Sequence, residues 1–167
     1  IDELKSQSFD GNGMTIGDKV LEMVGKIGEK IDVSALDVIE ADTVVAYNHP
    51  GNQVASLVGL SVEGKSEVGR DVAMQIAAMA PVAIDQDGVS QDIIDKEIEI
   101  GKDLARQEGK PEEMLEKIAM GKLNKFFKEN TLLNQAFIKE NKKSVGQYLK
   151  EVDSNLTVTA FKRHALS

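Results

Sequence analysis

Apolar residues recur every three or four positions in the first part of the chain, which is the period of a helix. Residues 14–28 follow this spacing, and Thr15 stands where an N-terminal cap is expected. The apolar residues on the shared face are Ile16, Val20, Val24 and Ile27. The pattern predicts one amphipathic helix, preceded by a polar, Gly-rich lead-in over residues 1–13.

The period falls to about two over residues 29–62, where β-branched residues dominate and strands are predicted. Residues 43–47 and 53–62 flank the short sequence NHPGN at 48–52. Because Asn, Pro and Gly favour a tight turn, these two segments are predicted to form an antiparallel β-hairpin.

A helix is predicted next over residues 67–80, with Ser66 as its cap and Pro81 as its end. The last part of the chain is predicted to form a strand, a helix and a strand, at 135–139, 144–152 and 156–164. Helices and antiparallel strands in this order predict an α+β fold with small antiparallel sheets and packed helices.

Residues 90–129 are predicted to form two long helices, because apolar residues again recur at helical spacing and Ser90 can cap the first helix. The sequence GKP separates the two: Gly109 suits the position after a helix end, and Pro111 the first position of the next helix. Each apolar stripe is narrow. We therefore expect an antiparallel helical hairpin that protrudes as a two-stranded coiled coil.

The composition excludes several classes of protein. The 167 residues carry a net charge of −8, which disfavours binding to nucleic acid, and 41% are hydrophobic, which is enough for a core. The absence of cysteine removes disulfides and thiolate chemistry, and is typical of a cytosolic protein. No apolar run approaches the roughly 18 residues that a membrane span needs, and no signal peptide is visible.

Residues 59–66, GLSVEGKS, match the phosphate-binding pattern G-x-x-x-x-G-K-[ST], and Asp85 could hold its metal ion. That loop belongs to parallel sheets, whereas the strand that contains Gly59 is predicted to pair through a short hairpin. Glu63 would also place a carboxylate beside the phosphates and repel them. We favour a Gly turn followed by a Ser-capped helix over a nucleotide site.

No enzyme site emerges from the titratable residues. The two histidines, His49 and His164, have no local nucleophile or metal-ligand spacing around them. His49 in its turn is either a solvated residue or a partner contact, because exposed loops often carry function. The charges of 92–129 are most simply a solvated helical surface. A binding or regulatory protein is therefore the better class.

Five short sequences occur in the order and spacing of one known family: IGE, Y-x-H-x-G, IAA-x-x-P, EGKP and LL-x-Q-x-F. They lie within longer similar stretches at 24–33, 45–60, 72–81 and 108–151. From about residue 14 onward, the chain resembles the bacterial elongation factor Ts family.

The resemblance implies a guanine-nucleotide exchange factor for elongation factor Tu that binds its GDP-bound and nucleotide-free forms without covalent chemistry. No cofactor, metal, nucleic acid or membrane is expected, and the implied location is cytoplasmic. The IGE match places Ile27, Gly28 and Glu29 against the nucleotide domain of the GTPase. The turn with His49 and Gly51 is an implied contact to another part. The further implied contacts are Gln135, Phe137, Ile138 and Lys139.

The family core has two α+β lobes, each with a small antiparallel sheet. Residues 1–42 would then be the C-terminal remainder of the first lobe. Residues 43–89 and 130–167 would form the second lobe, with the helical hairpin 90–129 inserted in it and accessory to exchange.

One departure from the family pattern affects the expected activity. The family's N-terminal helical module and the Asp-Phe element that reaches the magnesium site of the GTPase are absent, so the first lobe should be incomplete. We expect partner binding with weak exchange. The alternative is a structural or dimerising module without exchange activity, in which a homodimer forms.

Overall fold

The computed structural model describes residues 1–11 and 13–166, and the chain divides into two units, Ile1–Val38 and Ile39–Ser167. Asn12, in the predicted lead-in, and Ser167, at the end of the predicted second lobe, lie outside the described residues. The division into lobes and an inserted hairpin stays a prediction. The mixture of helices with small antiparallel sheets confirms the α+β class.

The first unit contains two helices, α1 (Asp2–Ser6) and α2 (Ile16–Ile27). The predicted cap of α2 is confirmed: Thr15 Oγ1 accepts from the backbone N–H of Asp18, and the Asp18 carboxylate accepts from the N–H of Thr15, both at 3.1 Å. The predicted apolar face is only half-buried, and no residue of α2 is fully buried.

The strand character predicted for residues 29–42 is wrong, because this stretch forms neither a strand nor a helix. One acidic side chain bonds the backbone locally. Asp32 accepts a hydrogen bond from the N–H of Val33 at 2.8 Å and pairs with Lys5 at 2.6 Å. A β-branched composition therefore did not suffice to form a strand here.

The second unit is built on a three-stranded antiparallel sheet of order β1-β2-β5. Its strands are β1 (Thr43–Asn48), β2 (Val54–Leu60) and β5 (Val158–Ala165). The predicted hairpin is confirmed: Val45 of β1 lies opposite Val58 of β2, which in turn lies opposite Phe161 of β5. In this central strand Ser56, Val58, Gly59 and Leu60 are buried, whereas Ala55 is exposed.

Helix α3 (Ser66–Met79) packs against β1 and β2, and residues of α3 and the sheet form the core together with residues from 132–156. The predicted cap is wrong by one residue: Lys65 holds the N-cap position, its backbone N–H donates to Thr43 Oγ1 at 3.3 Å, and Ser66 begins the helix. The buried core residues are Val58, Leu60, Val72, Ala73, Ile76, Leu132, Phe137, Val145, Leu149, Leu156 and Val158.

Helices α4 (Gln91–Gln107) and α5 (Glu112–Asn130) pack side by side with opposite directions. Gly101 lies against Ala119, and further along Arg106 bonds Glu112 at 3.1 Å. Gly109 between the helices has a φ of +74°, as the prediction for this position required. That the pair protrudes as a coiled coil stays a prediction.

The end of α5 leads into a two-stranded ribbon, β3 (Ala136–Phe137) and β4 (Glu140–Ser144), followed by α6 (Val145–Val152). The sequence predicted one strand over 135–139 and missed β4. The missed strand, ENKKS, is polar throughout and so has no apolar alternation by which to recognise it.

Gly59 is expected to be required for packing in the middle of the sheet. A Cβ at Gly59 would lie 2.8 Å from Ile39 Cγ2 and 2.9 Å from Ala41 Cβ, both too close. Gly59→Ala should therefore lower the free energy of unfolding in urea by about 1–3 kcal/mol. The control is Gly121→Ala in α5, where the added methyl meets nothing within 4 Å. That change should be neutral or stabilising by up to about 1 kcal/mol, and equal losses at both positions would contradict the expectation.

Candidate functional site

The first candidate contact is the end of α2, where the helix stops in a left-handed turn. Gly28 has a φ of +80°, and its N–H donates to the carbonyl of Val24 at 2.9 Å. A glycine suits this conformation, since a side chain would be strained there. The turn leaves Ile27 52% exposed and Glu29 exposed beside it. An apolar side chain and a carboxylate thus stand at one helix end.

The second candidate contact is the turn between β1 and β2. Gly51 has a φ of +94°, and the N–H of His49 donates to the carbonyl of Val54 at 2.8 Å. The His49 ring is half-buried, because it packs edge-on against Tyr47 with ring centres 5.9 Å apart. Its Nδ1 lies 3.2 Å from the Tyr47 hydroxyl. The imidazole is therefore held in one orientation, while Gly51 beside it is exposed.

The third candidate contact lies at the β3–β4 ribbon, and only two of its four predicted residues are at the surface. Ile138 is 39% exposed and Lys139 is exposed. Phe137 is buried and stacks on Tyr148, with ring centres 4.2 Å apart. Gln135 is 1% exposed. In this conformation the side chains of Gln135 and Phe137 lie inside the fold and anchor the segment that carries Ile138 and Lys139.

Two residues missed by the sequence reasoning hold Lys139 in place. Asp71 of α3 forms an ion pair with Lys139, and its other carboxylate oxygen accepts from the hydroxyl of Tyr148 at 3.1 Å. Burial, assisted by the adjacent Asp71 charge, raises the pKa of Tyr148 to about 12. No local pattern identifies Asp71, because a carboxylate on a helix is typical of a solvated face.

The structure groups the predicted contacts in part. His49 and Gly51 share one turn, and the Gln135–Lys139 residues share one ribbon, both in the second unit. Ile27, Gly28 and Glu29 belong to the first unit.

The segment 59–66, which matches the phosphate-loop pattern, begins inside an antiparallel strand and not in a loop. Gly59 lies inside the antiparallel strand β2, paired with Val44 on one side and Ala160 on the other. Lys65, the lysine of the pattern, forms an ion pair with Asp153, in which its Nζ lies 3.6 Å from Oδ2. The geometry confirms that this strand is antiparallel and gives the pattern a structural explanation.

A groove of about 830 Å³ borders β5 and the segment after α3, and none of the predicted contacts line it. Among the residues described, no three His, Asp or Glu side chains are grouped so as to hold a metal ion. That part of the chain also has no helix of the length and apolarity needed to cross a membrane.

The whole chain, residues 1–167, matches the family model described as Elongation factor TS. An elongation factor Ts from Christiangramia forsetii is 55% identical over 94% of this chain and 58% of its own length. The proteins of that name from Flavobacterium psychrophilum and Amoebophilus asiaticus are 52% and 50% identical, over 94% and 98% of this chain and 58% and 59% of their own lengths. The chain thus spans about 58% of the length of the curated relatives it matches.

The raised pKa of Tyr148 predicts a loss of stability at high pH. The folded state holds the phenol proton up to about pH 12, whereas the unfolded chain releases it near pH 10. This contribution is therefore complete below pH 10 and lost as the pH rises through 12. Because the ring is only partly buried, we expect a fall of about 1–2 kcal/mol in the free energy of unfolding.

The control for this pH dependence is Tyr148→Phe, which lacks the titrating group but keeps the ring that stacks on Phe137. Its unfolding free energy, measured by urea titration at pH 9 to 12, should fall less steeply than that of the unaltered chain. Identical slopes would contradict a contribution of the Tyr148 hydroxyl to the loss.

Proposed function

Because the chain belongs to the elongation factor Ts family, we propose that it is a guanine-nucleotide exchange factor for elongation factor Tu in translation elongation. It binds the GDP-bound and nucleotide-free forms of the GTPase and promotes release of GDP. No covalent bond is made or broken, and no cofactor or metal of its own takes part. A cytoplasmic location follows from this role.

The mechanism is reciprocal coupling between two ligands of one protein. Nucleotide lowers the affinity of the GTPase for the exchange factor by some factor. The exchange factor must then lower the affinity of the GTPase for nucleotide by the same factor. The exchange factor therefore needs only a surface whose contacts are better in the nucleotide-free state. It needs no phosphate site, which agrees with the position of Gly59 inside the antiparallel strand β2.

The proposed surface has three parts. Ile27, Gly28 and Glu29 contact the nucleotide domain of elongation factor Tu. The turn with His49 and Gly51 contacts another part of the GTPase. Ile138 and Lys139 form a third contact, for which the buried Gln135 and Phe137 are supports.

The structural observation that best supports the proposal is that Ile138 is an exposed apolar residue on a segment anchored by the buried side chains of Gln135 and Phe137. A well-supported apolar side chain gains burial on binding without a large loss of conformational freedom. Ile27, at the fixed end of α2, has the same character.

We further propose that α4 and α5 protrude as a coiled-coil hairpin, 90–129, with an accessory part in exchange. Residues 1–42 would be the remainder of the first lobe, and residues 43–89 with 130–167 would form the second lobe, in which the hairpin is inserted. Support for the hairpin comes from the antiparallel packing of the two helices, with Gly101 set against Ala119.

A second candidate function is a dimerising module without exchange activity. It is favoured by the sheet order, because β1 and β5 each have a single strand neighbour among the described residues. Such edges can pair with a second copy. Light scattering over a concentration series would detect the dimer, and failure to bind the GTPase would favour this function.

Ile138→Ala should weaken binding to elongation factor Tu by about tenfold, which is the effect of losing a central apolar contact. The control is Val152→Ala on α6, outside the proposed contacts and the hairpin, since Val152 is 40% exposed and Ile138 is 39% exposed. Titration calorimetry against the nucleotide-free GTPase measures both variants. Equal effects of the two changes would remove Ile138 from the proposed surface.

The 167-residue chain is expected to exchange nucleotide only weakly, because no Asp-Phe dipeptide occurs in it. Release of fluorescent GDP from elongation factor Tu should be faster with the chain than without it. It should remain well below the rate given by a complete elongation factor Ts. Release as fast as with the complete factor would contradict this expectation. Co-purification with the GTPase, with and without GDP, tests binding separately from exchange.

A further inference from the structure

Two buried glutamines lie beneath the third contact. Gln75 of α3 is fully buried at 0% exposure, and Gln135, just before β3, is 1% exposed. The amide nitrogen of Gln75 donates to Oε1 of Gln135 at 3.2 Å, so the two side chains form a pair inside the unit.

The side-chain amides of both glutamines form further hydrogen bonds, two of them to the backbone of the 136–138 segment. Gln75 Oε1 accepts from the backbone N–H of Ile138 at 2.9 Å, and its Nε2 donates to the carbonyl of Ala136 at 3.1 Å. Gln135 Nε2 donates to the carbonyls of Met79 and Glu129, at 3.3 and 3.1 Å. No buried side-chain nitrogen or oxygen of the described residues lacks a partner.

The strand ladder does not hold Ile138. Strand β3 ends at Phe137, and its register with β4 shifts between Ala136 and Phe137. The N–H of Ile138 is therefore bonded by the side chain of another element, at the point where regular pairing stops. The buried side-chain amide of Gln75 would cost free energy without hydrogen-bond partners. Backbone conformations of residues 136–138 that break these bonds are therefore strongly disfavoured.

We propose that Gln75 is a positioning residue for the interaction with the GTPase. Its side chain fixes the backbone at Ile138, and this fixes the direction in which the exposed Ile138 side chain meets the partner. The inference rests on the proposed function and deepens it, because Gln75 itself touches no partner. A residue needed only for stability would lower the stability of the fold without acting through Ile138.

The first test is amide hydrogen exchange in Gln75→Met, which keeps the length of the side chain and removes its amide. Exchange at Ile138 should accelerate by about tenfold or more, while Val58 and Leu60 in the sheet stay protected. The control is Val72→Ala, a buried apolar change on the same helix. It should alter core amides together, with no selective effect at Ile138. An Ile138 amide that stays protected in Gln75→Met overturns the proposal.

The second test is a double-mutant cycle for affinity to nucleotide-free elongation factor Tu. Gln75→Met should weaken binding by about tenfold, and combining it with Ile138→Ala should add little beyond Ile138→Ala alone. Unchanged affinity in Gln75→Met, or losses that add fully, would overturn the positioning role and leave the proposed function standing. If the unaltered chain itself fails to bind, the proposed function fails first, and this inference with it.

A conservative variant covers the case in which Gln75→Met does not fold. Gln75→Glu keeps an oxygen at the position that accepts from Ile138, and its carboxyl, held neutral by full burial, donates one hydrogen bond where Nε2 donated two. It should keep Ile138 protected from exchange and bind the GTPase within about threefold of the unaltered chain. Loss of both in a folded Gln75→Glu protein would contradict the proposal.

Discussion

The close packing of α3 on the sheet is the constraint on which the second unit depends. A Cβ at Gly69 would lie 2.5 Å from Val45 Cγ2, so the helix can approach β1 this closely only without a side chain there. With α3 in that position, Val72 and Ile76 enter the core. Asp71 and Gln75, one turn apart on another side of the helix, then reach the β3–β4 ribbon. One helix thus links the sheet to the segment proposed to contact the partner.

Local signals predicted local structure well. The cap at Thr15, the turn around Gly51 and the glycine Gly109 after a helix end each depend on a few neighbouring residues, and the structure has all three. Signals that needed distant partners failed. Residues 29–42 have strand-like composition but no strand, and β4 is a strand with polar composition, recognisable only through its pairing with β3.

The sequence predicted which segment forms the candidate contact, but not which of its residues are buried or which residue of another helix holds the segment. The order of short matching sequences points to Gln135 and Ile138 as members of one contact, yet periodicity cannot distinguish a buried glutamine from an exposed one. Gln135 has its side chain inside the fold, and its partner Gln75 had no signal at all. A polar residue on a helix is ordinarily interpreted as solvated, and only the three-dimensional partners reveal that this one is not.

A buried amide pair is a poor way to gain stability, because each amide must recover by hydrogen bonding what it loses on leaving water. A leucine at position 75 would fill a similar volume, but it would leave the N–H of Ile138 without the acceptor that Gln75 provides. The pair therefore contributes orientation and not stability: the ribbon has one backbone conformation in which these hydrogen bonds form, and other conformations leave buried amides unpaired. For a protein that acts by binding alone, the orientation of an exposed apolar side chain is itself the functional quantity. Nucleotide affinity in the partner changes only as far as the contacts differ between its two states. A contact held rigidly can distinguish those states, whereas a mobile one would adapt to both.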